Sequence, residues 1–404
     1  MLTSLWLLYL AATIAAASPV GDQYPLREQN DATTSDHIST GLFASLERLS
    51  RLVDITYCVG TTGITPPFSC ASRCKEFPTL DLVTTWNTGA LMSDSCGYIA
   101  IDHGTTSRLT NSEGDVADTK KQGAIIVAFR GTYSITNTII DLSTIPQEYV
   151  PYPSPDEGGS EPPKEPEHTC KNCTVHMGFL ASWKIARSVV LPALKPLHEQ
   201  YPSYPIHLVG HSLGGAVAAL ASLELKVVSG WDNIVVTTFG EPRVGNEGFV
   251  EYLDSVFGLT GIGKQNEPQT YRRVTHVDDP VPLLPLSEWG YRSHAGELFI
   301  TKSNLPPEPS DIRACTGDED SKCIAGSAGE PLRTAGQALA KERGHDATTM
   351  WTDGLWDIPT RFKLWQLFFA HRDYFWRLGL CVPGGDPIDW DRDKYPNFTT
   401  SDEL

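Results

Sequence analysis

The segment IHLVGHSLGGAVAALASLE, residues 206–224, constrains the fold of this 404-residue chain more than any other. A β-branched, apolar run (Ile206 to Val209) leads directly into Gly210-His211-Ser212-Leu213-Gly214, and a small-residue helix follows. G-x-S-x-G between a strand and a helix is the sequence of a nucleophile elbow, a sharp turn that thrusts the serine side chain out of the sheet. Such a turn strains the serine backbone, and glycines two residues to either side keep neighbouring atoms from clashing. It also places Ser212 at a helix N-terminus, where unpaired amides and the helix dipole favour negative charge.

A serine hydroxyl is a weak nucleophile until a base removes its proton, and the base needs an acid to orient it. In folds built on this elbow the acid follows the serine in the chain and the histidine follows the acid. Downstream, TYRRVTHVDDPVPLLP reads as a strand over 271–276 that ends in acidic residues and then prolines, making Asp278 and Asp279 the candidate acids. Three histidines come later. His294, in the alternating YRSHAGELFI, reads as a satisfied structural histidine in a strand, and His345 lies in a Gly- and charge-rich stretch without an apolar frame. His371, in LWQLFFAHRDYFWRLGLC, has an aromatic frame able to fix an imidazole and is the candidate base.

These residues carry a resemblance to the fungal lipase family (lipase class 3) of the α/β-hydrolase superfamily. The matching blocks are AIIVAFRGTYSITNTIIDL, VHMGFLASW, HLVGHSLGGAVAALA, TTFGEPRVGNEGF, THVDDPVPLLP, SHAGELFI and AHRDYF, in that order along the chain. The resemblance implies Ser212 as nucleophile, Asp279 as acid and His371 as base. It implies Thr132, the residue after FRG, as one oxyanion donor; the amide of Leu213 is the second, as elbow geometry also requires. Residues 133–146 correspond to the family's helical lid, and Ile135, Ile139 and Leu142 form an apolar stripe at helical spacing. Family members often carry Trp two residues before the Ile-x-Asp-Leu element; Asn137 and Thr138 stand in that region here. The implied activity is hydrolysis of acylglycerol esters through an acyl-enzyme, without cofactor or metal. Two other readings stay open: a carboxylesterase of feruloyl esterase or phospholipase A1 type, and a non-catalytic lipid-binding protein that keeps the fold.

Composition fits a chain of the secretory pathway. Residues 1–17 form an apolar stretch ending in Ala15-x-Ala17, read as a signal peptide despite lacking a basic start. It is too short for a membrane anchor, and no other apolar run reaches spanning length. Nine cysteines suit an oxidising compartment. Their spacing pairs Cys70 with Cys74, Cys170 with Cys173 and Cys315 with Cys323. Cys58, after the first long helix, is expected to pair with Cys381 near the chain's end, a link the family resemblance supports. Cys96 is left as a buried strand thiol. Asn172 and Asn397 head N-x-T sequons. A formal charge of −17 without a basic patch argues against nucleic acid and anionic membranes as partners. The terminal SDEL approaches a retrieval signal, so secretion and retention in the endoplasmic reticulum are both expectations.

The expected architecture is therefore an α/β-hydrolase: a central, mostly parallel sheet flanked by helices. It has one catalytic domain over 39–385, a polar segment before it (18–38) and a tail after it (386–404). Helices are expected over 39–58, 177–199 and 246–257, and strands near 97–102, 125–130, 206–210, 234–239, 271–276 and 296–301. Two polar inserts, 151–169 and 303–346, decorate the domain. The aromatic run 350–369 reads as core packing, with an acyl cleft or second lid as the alternative. GLTGIGKQ (258–265) resembles a phosphate-binding loop but ends in Gln where Ser or Thr would ligate magnesium, so it reads as a surface turn.

Overall fold

A computed structural model describes residues 37–89, 94–104, 106–110, 116–120, 123–132, 146–148, 170–259, 269–327 and 370–382. The signal peptide, nearly all of the lid segment, the 151–169 insert, His345, the aromatic run 350–369, Asn397 and the SDEL terminus lie outside the described residues.

Eight strands form the main sheet: β1 (Leu80–Asn87), β2 (Cys96–Asp102), β3 (Ala124–Phe129), β4 (Ile206–His211), β5 (Ile234–Phe239), β6 (Tyr271–His276), β7 (Glu297–Ile300) and β8 (Ile312–Ala314). Their spatial order follows the chain order without exception. The centre, β3 through β7, is parallel, and antiparallel strands close both ends. That sequential order settles where the helices go. Right-handed crossovers between parallel strands that always advance in one direction deliver every connecting helix to the same face. Accordingly α2 (Met177–Gln200), α3 (Leu213–Leu223) and α4 (Glu247–Phe257) pack on one side, with Ile125, Val127, Phe129, Ile206, Leu208 and Val236 beneath them. The alternate strand positions, including Ile126, Ala128, Val209, Phe239 and Val274, face the other side. There α1 (Thr40–Ile55) and the segment carrying Tyr374, Phe375, Trp376 and Leu378 cover them.

Local chemistry explains the elements. Ser39 caps α1 by accepting the Leu42 amide, and Leu46, Leu49 and Val53 form its buried stripe. Each such side chain contributes about 1.5–3 kcal/mol on burial. Helix α3 is buried over its entire length. Its Gly and Ala residues make the close approach to the sheet possible, and its all-round apolarity fits a helix with no solvent face. Just beyond it, the buried carboxylate of Glu224 accepts from Trp183 Nε1 (2.8 Å) and Arg187 Nε (2.6 Å), joining the end of α3 to α2.

Three departures from expectation concern the main sheet. β1 was not anticipated: LDLVTTWN is half-exposed, and a bulge between Leu82 and Thr84 breaks its alternation. β8 lies inside the 303–346 insert, which is therefore docked to the sheet over its described part. His294 is not in a strand, because β7 begins only at Glu297.

Four disulfides join Cys58 to Cys381, Cys70 to Cys74, Cys170 to Cys173 and Cys315 to Cys323, and Cys96 is a buried free thiol. The first spans 323 residues and fastens the end of α1 to the segment that carries His371. Two further contacts hold that segment: the Gly379 amide donates to Asp54 (2.7 Å), and the Arg51 and Arg73 guanidinium groups lie 4.3 and 4.6 Å from the Trp376 ring centroid. Replacing both Cys58 and Cys381 by Ser should cost about 2–5 kcal/mol of stability. Thermal unfolding checks this, and an unchanged melting temperature would contradict it.

Candidate active site

β4 ends at His211, and Ser212 turns the chain straight into α3 with φ 58° and ψ −130°. A β-carbon residue in that region is strained and persists only where its surroundings over-determine it. They do so here. The Ser212 amide donates to Phe239 O (2.9 Å) and its carbonyl accepts from Gly215 N (2.9 Å). A β-carbon at Gly210 would stand 2.2 Å from Gly214 O, and one at Gly214 would stand 2.4 Å from Phe129 O. Both glycines are thus required by space.

The two aspartates left open by sequence are separated by the turn after β6. Asp278 is exposed, whereas Asp279 is 1% exposed and faces His371. His371 Nδ1 lies 2.8 Å from Asp279 Oδ2 and 3.0 Å from Oδ1. Both neighbours are carboxylate oxygens, so Nδ1 carries the proton and Nε2 keeps its lone pair, the tautomer a general base needs. Asp279 also accepts from the Val281 amide (2.9 Å) and from the Tyr374 hydroxyl. Burial pushes its carboxyl pKa up, but His371 and these donors outweigh burial and hold it below the ordinary value. Ser212 Oγ and His371 Nε2 are both buried and have no hydrogen-bond partner among the described residues. Buried unpaired polar atoms are costly, and here they are the two atoms that a proton transfer would use.

Gly131 brings the candidate oxyanion residue close. A β-carbon on it would fall 2.8 Å from Ser212 Cβ, from His211 O and from Tyr57 Oη, so the chain just before Thr132 runs directly against the nucleophile. Leu213 begins α3, in the turn where amides lack intrahelical acceptors.

Sequence reasoning passed over His211 and Tyr57. His211 is buried and its ring lies tilted against that of His371, with centroids 4.7 Å apart. Burial, reinforced by the neighbouring His371, lowers its pKa to about 3, so it stays neutral. Its Nε2 lies 2.8 Å from the His371 carbonyl and therefore bears the single proton. The Tyr57 hydroxyl must then donate to Nδ1, at 2.6 Å, and it abuts the loop before Thr132, 2.8 Å from where a β-carbon on Gly131 would be. One directional chain of hydrogen bonds thus runs from Tyr57, which packs against the candidate oxyanion loop, to the backbone of the candidate base. No contiguous motif announces it, since its members lie at positions 57, 211 and 371.

Tyr57→Phe removes the first of those bonds and leaves the His211 lone pair buried without a donor. Steady-state kinetics on a soluble ester should show kcat reduced by about 10-fold with KM little changed. An unchanged kcat would contradict the role given to this chain of bonds.

Known proteins resemble this chain in sequence and in fold. The sequence pattern of the family Lipase (class 3) matches residues 126–289, which include Thr132, the elbow and Asp279. The chain is 60% identical over 400 residues to the secreted mono- and diacylglycerol lipase 2 of Gibberella zeae, covering 98% of this chain and 95% of that one. It is 60% identical over 398 residues to lipase A of Sodiomyces alcalophilus, covering 97% and 93%. Among solved structures, the crystal structure of Lip2 lipase from Yarrowia lipolytica superposes with a TM-score of 0.62 at 29% identity, covering 86% of this chain and 97% of that one. With its sequential parallel sheet, elbow and near full-length identity to two fungal lipases, the chain has the α/β-hydrolase fold and belongs to the class 3 lipase family.

Proposed function

We propose that this protein is a secreted serine hydrolase that cleaves the carboxylic esters of acylglycerols through an acyl-enzyme. The observation that carries the reading is the buried Asp279–His371 pair, its Nε2 left without a partner, packed through His211 against the strained Ser212.

The chemistry follows from those positions. Ser212 Oγ attacks the ester carbonyl as His371 Nε2 takes its proton. Asp279 holds the imidazole's tautomer and stabilises the imidazolium that forms. The amides of Thr132 and Leu213 receive the developing oxyanion, each contributing a few kcal/mol (about 3–4) to the transition state. The carbon–oxygen bond to glycerol then breaks, and the imidazolium gives its proton to the departing alkoxide. Water repeats the sequence on the acyl-enzyme, releasing the fatty acid and freeing Ser212. These steps need no cofactor.

Acylglycerol as substrate is supported by the lipase relatives, one of which is named for mono- and diacylglycerols. Partial glycerides are thus the first substrates to examine beside triacylglycerol. Secretion is supported by that relative's name, by the apolar start of the chain and by four disulfides. No helix among the described residues is long and apolar enough to cross a membrane. The segment 133–146 is proposed as the lid that covers the buried serine, in keeping with its apolar stripe. The domain limits 39–385 and sugar attachment at Asn172 and Asn397 are proposed on the sequence alone. Asn172 is exposed, within the Cys170–Cys173 loop.

Hydrolysis of para-nitrophenyl esters from acetyl to palmitoyl, and of mono-, di- and triolein, should be lost in Ser212→Ala and greatest on long chains. A preference for short or aromatic acyl groups would favour the esterase reading instead. Asp279→Asn should lower kcat by about 10³–10⁴-fold, because the amide can impose the wrong tautomer on His371; near-normal turnover would exclude Asp279 as the acid.

A further inference from the structure

Directly beneath the candidate acid and base lies Gly240, at the end of β5, with φ +60°. A β-carbon there would stand 2.6 Å from Tyr374 Oη, 2.9 Å from His371 Cε1 and 3.0 Å from Asp279 Oδ2. The backbone at 240 is therefore the floor on which the Asp279–His371–Tyr374 cluster rests. A shift of a few tenths of an ångström would be felt at all three groups.

The next residue, Glu241, points its side chain to the opposite side of the sheet, where the connecting helices pack. It is fully buried. Its Cα, Cβ and Cγ lie 3.1–3.3 Å from where a β-carbon on Gly215 would be, so it also abuts the first turn of the nucleophile helix. A buried carboxylate is expensive unless every lone pair is satisfied. Glu241 is satisfied from three elements. Oε2 accepts from Thr238 Oγ1 of β5 (2.6 Å) and from Tyr271 Oη of β6 (3.0 Å), and Oε1 lies 3.0 Å from His294 Nε2. The other nitrogen of His294 faces Ala295 O at 2.7 Å. Each nitrogen thus meets an oxygen.

His294 is itself immobilised. Its carbonyl accepts from Arg273 Nη2 (3.0 Å), which also reaches Glu297 (3.3 Å). The Ala295 amide donates to Asp254 of α4 (3.1 Å). Burial raises the Asp254 carboxyl to about 6, with His294 and the amide pulling it back. The charged and titratable groups around Glu241 are therefore His294, Tyr271, Arg273, Asp254 and Glu297, all buried. Nothing in the reaction uses them, and none has access to a substrate.

We infer that Glu241 is a positioning residue of the active site: held by Thr238, Tyr271 and His294 on one side of the sheet, it sets the height of the Gly240 turn under Asp279 and His371 on the other. The inference rests on the serine-hydrolase reading. It accounts for a buried acid and histidine that would otherwise cost stability for no return. It also ties the nucleophile helix, the acid strand and the base to one buried group.

The test uses the full-length oxidised protein and a soluble short-chain ester, para-nitrophenyl butyrate, well below each variant's melting temperature. Glu241→Leu keeps the side chain's bulk and removes all three bonds; Thr238→Val removes one bond and keeps the shape; Glu241→Gln keeps an acceptor and removes the charge. Glu241→Leu and Thr238→Val should lower kcat by about 10-fold or more and about 3-fold respectively, with KM within about 2-fold. In both, the acid limb of kcat/KM against pH should move, which a loss of stability alone would not cause. Glu241→Gln should recover kcat to within about 3-fold of the parent. Folded Leu and Val variants with parental kcat and pH profile would overturn the inference, as would a Gln variant no better than Leu. If Glu241→Leu does not fold, Thr238→Val and Glu241→Gln decide by the same criteria. Ser212→Ala is measured alongside: full activity there would overturn the serine reading and this inference with it. Loss in Ser212→Ala beside parental Leu and Val variants overturns this inference alone.

Discussion

At Ser212 the backbone adopts φ 58° and ψ −130°, a conformation that costs an L-residue about 1–3 kcal/mol and turns its hydroxyl out of the strand at the end of the sheet. Much of the surrounding architecture is needed to keep it there. β4 is pinned between parallel neighbours β3 and β5, and the Ser212 amide is tied to the end of β5. Helix α3 has no exposed face from which it could relax. The strain is thus paid by the centre of the sheet and delivered to one hydroxyl. A less buried helix, or an edge strand in place of β4, would let the turn open.

The remaining groups reach that hydroxyl from distant parts of the chain, and each arrives by a separate device. Asp279 comes with β6 and is fixed by its own turn through the Val281 amide. His371, the proposed base, lies 92 residues beyond Asp279 and belongs to no strand. It depends on a disulfide, a tryptophan under two guanidinium groups and the Asp54 carboxylate to keep its place on α1. The proposed oxyanion loop packs against Tyr57, one residue before the disulfide cysteine, so a single turn after α1 lies against both that loop and the segment of the proposed base. In a water-poor site, ordered donors of this kind stabilise charge more than the same groups would in solvent.

How much of this was legible follows from whether a feature is contiguous. The elbow is read from nine adjacent residues because strand, serine and helix are covalently consecutive, and the expected strand limits fall within one residue of β2 through β7. β1 was hidden because half its residues face outward and a bulge interrupts its period. β8 was hidden because three residues inside a polar, Pro-rich insert carry no period at all. Choosing between Asp278 and Asp279 required the resemblance, since adjacent residues differ only in which way the turn points them. The supports were beyond reach. Tyr57, His211, Glu241 and Tyr374 acquire their roles from pairings across tens to hundreds of positions, and a buried glutamate in GEPRVG reads from sequence as an ordinary loop charge. Their signal is three-dimensional.

The central claim is that Ser212 attacks carbonyl carbon with its oxyanion received by the Thr132 and Leu213 amides. A crystal structure of the protein after treatment with an alkyl phosphonate ester tests it most directly, because the phosphorus centre mimics the tetrahedral intermediate. The account predicts one adduct on Ser212 Oγ, its phosphoryl oxygen about 2.7–3.1 Å from both amides and His371 Nε2 hydrogen-bonded to the ester oxygen. An adduct on another residue, or a phosphoryl oxygen turned away from those amides, would contradict it.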